Sequence, residues 1–281
     1  MRWLQLAAER GVGSAQSLLG ICYYFGRGAP KDEAEGIKWL QKAKGQGIEG
    51  VDYFLQEIAK EGDKTELAKV HRQSAEQGDA DAQYALGRCY SYGLGVPLDW
   101  SESVTWLRQS SEQGHAQAQY VLGTAYLHGI GIAEDRAEGM KWLRLSVEQG
   151  NADAQYALGL IHLSGIGVPQ NLEEAAKLFH QSAEQGNAVA QLQLGGFYLR
   201  GIGVARDGME GIKWYYKAAE QGHSEAQNAM GMLLRYGHGG LDIPRNDEEG
   251  IEWLRKAAEQ GHEGATERLR EIEGTRTATH Q

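Results

Sequence analysis

Apolar side chains along the chain keep an unbroken helical period. Between Gly150 and Gln185, Ala154, Leu158 and Ile161 share one helical face, and Ala175, Leu178, Phe179 and Ser182 share another. Gly165 and Gly167 lie between the two runs and end the first helix, because a C-terminal glycine adopts the left-handed conformation closed to residues with a Cβ. Pro169 and Asn171 keep the connection short and start the second helix. The stretch therefore predicts a helical hairpin.

The hairpin is one unit of an array. The octapeptide Ala152 to Gly159 recurs letter for letter at Ala80 to Gly87, and a closing Glu-Gln-Gly returns at Gly78, Gly114, Gly150, Gly186, Gly222 and Gly261. A half-unit covers 1–10; full units start at Gly11, Gly47, Gly78, Gly114, Gly150, Gly186 and Gly222; and a capping half-unit covers 261–273. The Gly47 unit is shortened at its inner loop, around Gly62-Asp-Lys-Thr, and the Gly222 unit is lengthened between Gly237 and Asn246. Stacked helices tolerate length changes of this kind at loops. The expectation is an all-α fold of about sixteen helices without a sheet, a single solenoid domain over 1–273, and a disordered tail over 274–281.

Smaller features fit this frame. Asp79, Asn151 and Asn187 stand where they can cap the next first helix, and Gly159 allows two helices to approach closely. Trp3, Trp39, Trp106, Trp142, Trp214 and Trp253 share one register of the second helix, which reads as a packing layer. Trp100 is off that register and is expected to be exposed. The chain begins in mid-repeat, as a segment cut from a longer one would, so Trp3, Leu4 and Ala7 carry a packing face without a preceding first helix.

The consensus A-x-A-Q-x-x-L-G-x-x-Y-x-x-G-x-G-V, followed by W-[YL]-x-x-[AS]-[AS]-E-Q-G, resembles the Sel1-like repeat over all of the chain but its tail. The Gly47 unit departs from it, lacking Leu-Gly before a Tyr and the Gly-x-Gly turn. The resemblance implies a right-handed, tetratricopeptide-like α-solenoid that serves as a protein-interaction scaffold or adaptor. Some members of this family bind host or toxin proteins. A cysteine-rich branch has been linked to penicillin binding and hydrolysis, but it carries paired cysteines in each repeat. This chain has two, Cys22 and Cys89, at one register of two separate units, and the hydrolase reading fails there.

Composition narrows the rest. A net charge of -10 and a pI near 5.4 argue against nucleic acid, which needs a basic face. A mean hydropathy of -0.51 without a long apolar run argues against a membrane span. No charged segment followed by an apolar one opens the chain, so the cytoplasm is the expected compartment, with periplasm or secretion as the alternative should an upstream signal peptide have been removed. The nine histidines form neither H-x-x-x-H nor H-E-x-x-H, and His115, His223 and His262 fall at unit starts, where a polar side chain can cap a helix and solvated loops are expected. Gly-Ile-Gly at Gly129, Gly165 and Gly201 follows a helix and lacks the Lys-Ser/Thr of a phosphate loop. No catalytic, cofactor-binding or metal-binding residue is expected.

A partner is expected on the first helices, which line the concave face of a tetratricopeptide-like stack. That register holds Ile21, Tyr24 and Phe25; Tyr84, Arg88 and Tyr92; Tyr120, Leu127 and His128; Tyr156, Leu160 and Leu163; Leu192, Leu199 and Arg200; Asn228, Arg235 and Tyr236. Exposed Tyr, Arg and apolar groups make a protein-binding surface. The candidate groove residues are Tyr24, Phe25, Tyr84, Arg88, Tyr92, Tyr120, His128, Tyr156, Arg200, Arg235 and Tyr236, taking a protein or peptide partner, a toxin or effector among the options, on a monomeric chain. The alternative function is an inhibitor or immunity-type protein that blocks a toxin or enzyme.

Overall fold

The computed structural model describes the chain apart from residues 10, 27, 47, 49–50, 60–63, 238–244 and 279–281, and apart from the side chains of 2, 3, 14, 52, 53, 57, 59 and 274–278. The side chain of Trp3, the shortened inner loop before Lys64 and most of the 237–246 insertion therefore lie outside the described residues. Those described form sixteen α-helices and no strand. Their contacts group into two compact units, one of Lys60–Gln185 and one that joins Met1–Ala59 to Gly186–Gln281.

The central unit holds α5 (Lys64–Glu76), α6 (Ala80–Tyr92), α7 (Trp100–Glu112), α8 (Ala116–His128), α9 (Arg136–Glu148), α10 (Ala152–Ser164) and α11 (Leu172–Glu184). α6 pairs with α7, α8 with α9 and α10 with α11, while α5 packs on α6, α7 on α8 and α9 on α10. Two devices fix this stacking. Within the hairpin of α8 and α9, Gly123 and Gly139 face each other so closely that a Cβ on either would lie 3.0 Å or 2.9 Å from the other's carbonyl oxygen. Glutamines and serines add a ladder of bonds, some within a hairpin and some to the second helix before it. Gln119 donates to the Ser111 carbonyl at 3.1 Å and accepts from Gln149 at 2.6 Å, while Ser146 Oγ donates to the Ala116 carbonyl at 2.8 Å. The same bonds recur from Gln83 to Ala75 and from Gln113 to Gln83, with Ser110 on Ala80 and Ser182 on Ala152. Gln83, Gln119, Ser110, Ser146 and Ser182 are buried, and each bond satisfies a polar group that burial would otherwise leave costly.

The other unit holds α1 (Arg2–Glu9), α2 (Gly13–Phe25), α3 (Glu33–Lys44) and α4 (Val51–Ala59), with α12 (Ala188–Arg200), α13 (Gly208–Glu220), α14 (Ser224–Tyr236), α15 (Asp247–Glu259) and α16 (Glu263–Ala278). The hairpins are α2 with α3, α12 with α13 and α14 with α15. Trp214 and Trp253 lie 2% and 6% exposed in the second-helix layer, as their register predicts. The two stretches of chain meet where the Gly45 carbonyl accepts from Ser224 N at 3.1 Å and from Ser224 Oγ at 3.3 Å. α16 runs to Ala278, past residue 274 where the sequence suggested a disordered tail.

The helix starts follow the sequence. Asp79, Asn151 and Asn187 each accept from the backbone N–H three residues on, at 2.7, 2.9 and 2.9 Å. His115, His223 and His262 do the same through Nδ1, at 3.0, 3.4 and 3.2 Å, and so are built into the unit junctions rather than solvated. His223 is 7% exposed, and burial pushes its imidazole below the ordinary value of 6.5. An unfolded chain takes up that proton first. Its contribution is therefore complete above about pH 6.5 and is lost as pH falls from there toward the depressed folded value. Unfolding measured at about pH 7.5 and about pH 5.5 should show a larger acid destabilisation for wild type than for His223→Asn, whose amide caps without titrating; equal losses would refute this account of His223.

Candidate partner-binding faces of the first helices

In the central unit, the expected groove residues start from the exposed-looking face of α6, α8 and α10. Tyr84 is half-buried and stacks on His115, with ring centroids 4.7 Å apart and 21° between planes. His115 is held in turn by its own cap bond and by Asp81, whose carboxylate lies 3.3 Å from Nε2. Tyr120 is 6% exposed and packs in a cluster with Leu143 and Ala154. Tyr156 is half-buried and tilts against Phe179 at 5.6 Å. Arg88 is 6% exposed; its guanidinium donates to the Tyr92 hydroxyl at 2.6 Å and lies 4.8 Å from that ring. Tyr92 is half-buried and His128 is exposed.

In the other unit, Tyr24 is 9% exposed and meets Phe25 and Phe54 edge-on, with centroids 5.1 and 5.5 Å away. Arg200 is exposed, with Nε donating to the Gly196 carbonyl at 3.1 Å. Burial raises the Tyr215 phenol above its usual value, and the nearby Arg200 charge opposes that shift. Arg235 bridges to Asp247 at 3.2 Å and donates to the Tyr236 hydroxyl at 3.1 Å, while Tyr236 is 49% exposed.

Exposure is thus narrower than the sequence suggested. Tyr24, Arg88, Tyr120, Leu199 and Asn228 are buried, and Tyr84 and Tyr156 are partly covered. The cover comes from both sides: His115 at the start of the next first helix stacks on Tyr84, Tyr120 lies with Leu143 of its own second helix and Ala154 of the next first helix, and Tyr156 lies against Phe179 of its own second helix. The last residues of the first helices are Tyr92, His128 and Ser164 in the central unit and Phe25, Arg200 and Tyr236 in the other. They differ in access: His128, Ser164, Arg200 and Tyr236 are exposed, while Tyr92 and Phe25 are half-buried. The buried ladder of Gln and Ser, by contrast, was not singled out from sequence, although the two glutamines stand in the quoted consensus. Trp100, 41% exposed, agrees with its off-register position.

Seven segments, 1–12, 13–48, 80–115, 116–151, 152–187, 188–223 and 224–262, match the family model of the Sel1 repeat. The chain belongs to the Sel1-repeat family. Proteins of this family are generally protein-interaction scaffolds. A Sel1 repeat protein from Oxalobacter formigenes is 31% identical, with a TM-score of 0.70 over 96% of this chain and 80% of that one. The protective antigen c5321 of uropathogenic Escherichia coli is 35% identical, with a TM-score of 0.65 over 97% of this chain and 59% of the antigen. The ERAD-associated E3 ubiquitin-protein ligase component HRD3B of Arabidopsis thaliana is 32% identical over 97 residues, 34% of this chain. This chain spans 59% of the antigen, and its match covers 16% of HRD3B. The segment 49–79, which includes α4 and α5, falls outside the matched repeats, where the sequence also departs from the consensus. Among the described residues, no helix is long and apolar enough to cross a membrane.

Proposed function

We propose that the chain is a non-catalytic scaffold that docks a partner protein on the ends of its first helices. One observation carries the reading. On a frame in which caps, ladder and packing layer repeat from unit to unit, the last first-helix residue changes between Tyr92, His128 and Ser164, and between Phe25, Arg200 and Tyr236. Large aromatic and cationic groups held on rigid helices lose little entropy on binding and are the usual anchors of protein interfaces. Buried Arg88 supports this surface from below by fixing the Tyr92 hydroxyl.

The test uses affinity capture followed by titration of the purified partner. Tyr92→Ala with His128→Ala, and separately Arg200→Ala with Tyr236→Ala, should each weaken binding by about ten- to a hundredfold. The second pair should leave the unfolding midpoint unchanged, whereas the first lowers it because the Tyr92 hydroxyl partners the buried Arg88 guanidinium. Unchanged affinity in both pairs would move the partner to other surfaces, the exposed Trp100 edge first. Capture of one enzyme whose activity is blocked would point to the inhibitory reading instead.

A further inference from the structure

Where Met1–Ala59 meets Gly186–Gln281, a cavity of about 950 Å³ opens beside the bond from Ser224 to Gly45. Val189 of α12 and His223 at the start of α14 line it from one stretch of the chain, and Lys38, Trp39 and Lys42 of α3 from the other. The chain itself shows what is incomplete there. At each of the three histidine caps Nδ1 accepts from the helix backbone, so Nε2 carries the proton. His115 directs Nε2 to Asp81 at 3.3 Å, and His262 directs it to Glu225 at 2.7 Å. Asp81 and Glu225 are both the second residue of the preceding first helix, α6 and α14. The second residue of α12 is Val189. His223 therefore keeps the donor and lacks the carboxylate: Nε2 is buried and has no partner among the described residues.

We propose that this cavity binds a ligand whose carboxylate accepts from His223 Nε2, taking the role that Asp81 and Glu225 play for the other two histidines. Neighbouring side chains cover Nε2, so the ligand oxygen displaces part of that cover. Burial keeps the His223 imidazole neutral, which leaves Nδ1 free to cap and Nε2 free to donate. Lys38 and Lys42 add positive charge, although Lys38 also reaches Glu35 at 3.1 Å and Lys42 lies 4.3 Å from the Trp39 ring. Glu9, Glu259 and Glu263 line the remaining wall, and Glu225 is engaged by His262, whose hydrogen bond holds that carboxyl below its usual range. A polyanion is therefore repelled. The chemistry that fits is one carboxylate beside a cationic group, as a free basic amino acid or the C-terminus of a basic peptide presents. The Trp39 ring on the α3 wall can lie against the aliphatic part of such a group.

Two substitutions separate recognition from folding. His223→Asn keeps the cap, since Asn151 and Asn187 do that work at the same register, but it removes the Nε2 donor. Val189→Glu supplies the acceptor from within. The probes are acetyl-Ala-Lys-Lys with a free C-terminal carboxylate, the same peptide as its C-terminal amide, and free lysine, each titrated by calorimetry. The free acid should bind, and amidation or His223→Asn should each weaken it about ten- to a hundredfold, as for a hydrogen bond to a charged group. His223→Asn should leave the melting temperature unchanged or raised, and Val189→Glu should raise it while excluding the free acid. Competition by lysine alone would make a free amino acid the source, and a requirement for the peptide would make it a chain terminus. Equal binding of acid and amide, wild-type affinity in His223→Asn, or no binding of any probe would overturn the assignment. The first-helix ends play no part in these outcomes, so the result is independent of the scaffold reading.

Discussion

Phe179→Ala is expected to destabilise the protein by about 3–5 kcal/mol, read from the shift of a urea unfolding midpoint at constant slope. Phe179 is fully buried, and its ring fills the space over Gly159, where a Cβ would come within 2.7 Å of Cε1. Tyr156 closes the other side. Leu40, Leu107, Leu143 and Leu254 at this register of other second helices show what the site accepts. Phe179→Leu should consequently cost only about 1 kcal/mol, because it exchanges one hydrophobic group for another of nearly the same volume. In a stack of hairpins a buried side chain such as Phe179 draws its packing from its own and adjacent helices, so the alanine cavity cannot be refilled from a distant part of the core. An alanine variant no weaker than the leucine variant would mean that the hairpin of α10 and α11 collapses around the gap.

The element order was legible in the sequence because the repeat states it several times over. A cap at Asp79 or a turn at Gly165 needs only its own neighbours in the chain, and a local pattern shown in successive units reads clearly. Exposure was less legible. The helical period tells which side of Tyr120 faces its own second helix, yet whether the opposite side meets water depends on how closely the next hairpin approaches. That spacing is fixed in part by buried glutamines that bond back to the preceding second helix, as Gln119 does to the Ser111 carbonyl and Gln83 to the Ala75 carbonyl, and that look in sequence like mere motif letters. Arg88 was misplaced for a related reason. Its charge suggested solvent, whereas the Tyr92 hydroxyl and ring let the guanidinium stay buried. The orphaned donor of His223 was hidden differently, since it shows only when Val189 is compared with Asp81 and Glu225 in three dimensions.

Gly131→Ala tests how the turns of neighbouring hairpins lock together, and its expected cost is about 2–5 kcal/mol. Two penalties combine. Gly131 sits at φ +70°, in the left-handed region where a residue with a Cβ is strained. The added methyl would also lie 2.3 Å from the Trp100 carbonyl oxygen and 2.5 Å from its carbon, atoms of the α7 backbone that no side-chain rotation can move away. The contact is reinforced by Ser101 Oγ, which donates to the Gly131 carbonyl at 3.3 Å. Gly167 is the control, because it occupies the same turn one unit later at φ +77° with nothing within 4 Å of an added Cβ. Gly167→Ala should then show the conformational strain alone, about 1 kcal/mol, and the difference between the two variants measures the clash with α7. If both variants melt together, the turn after α8 does not bear on Trp100, and the exposure of that tryptophan has to be explained by something other than its place at the rim of a turn-to-helix contact.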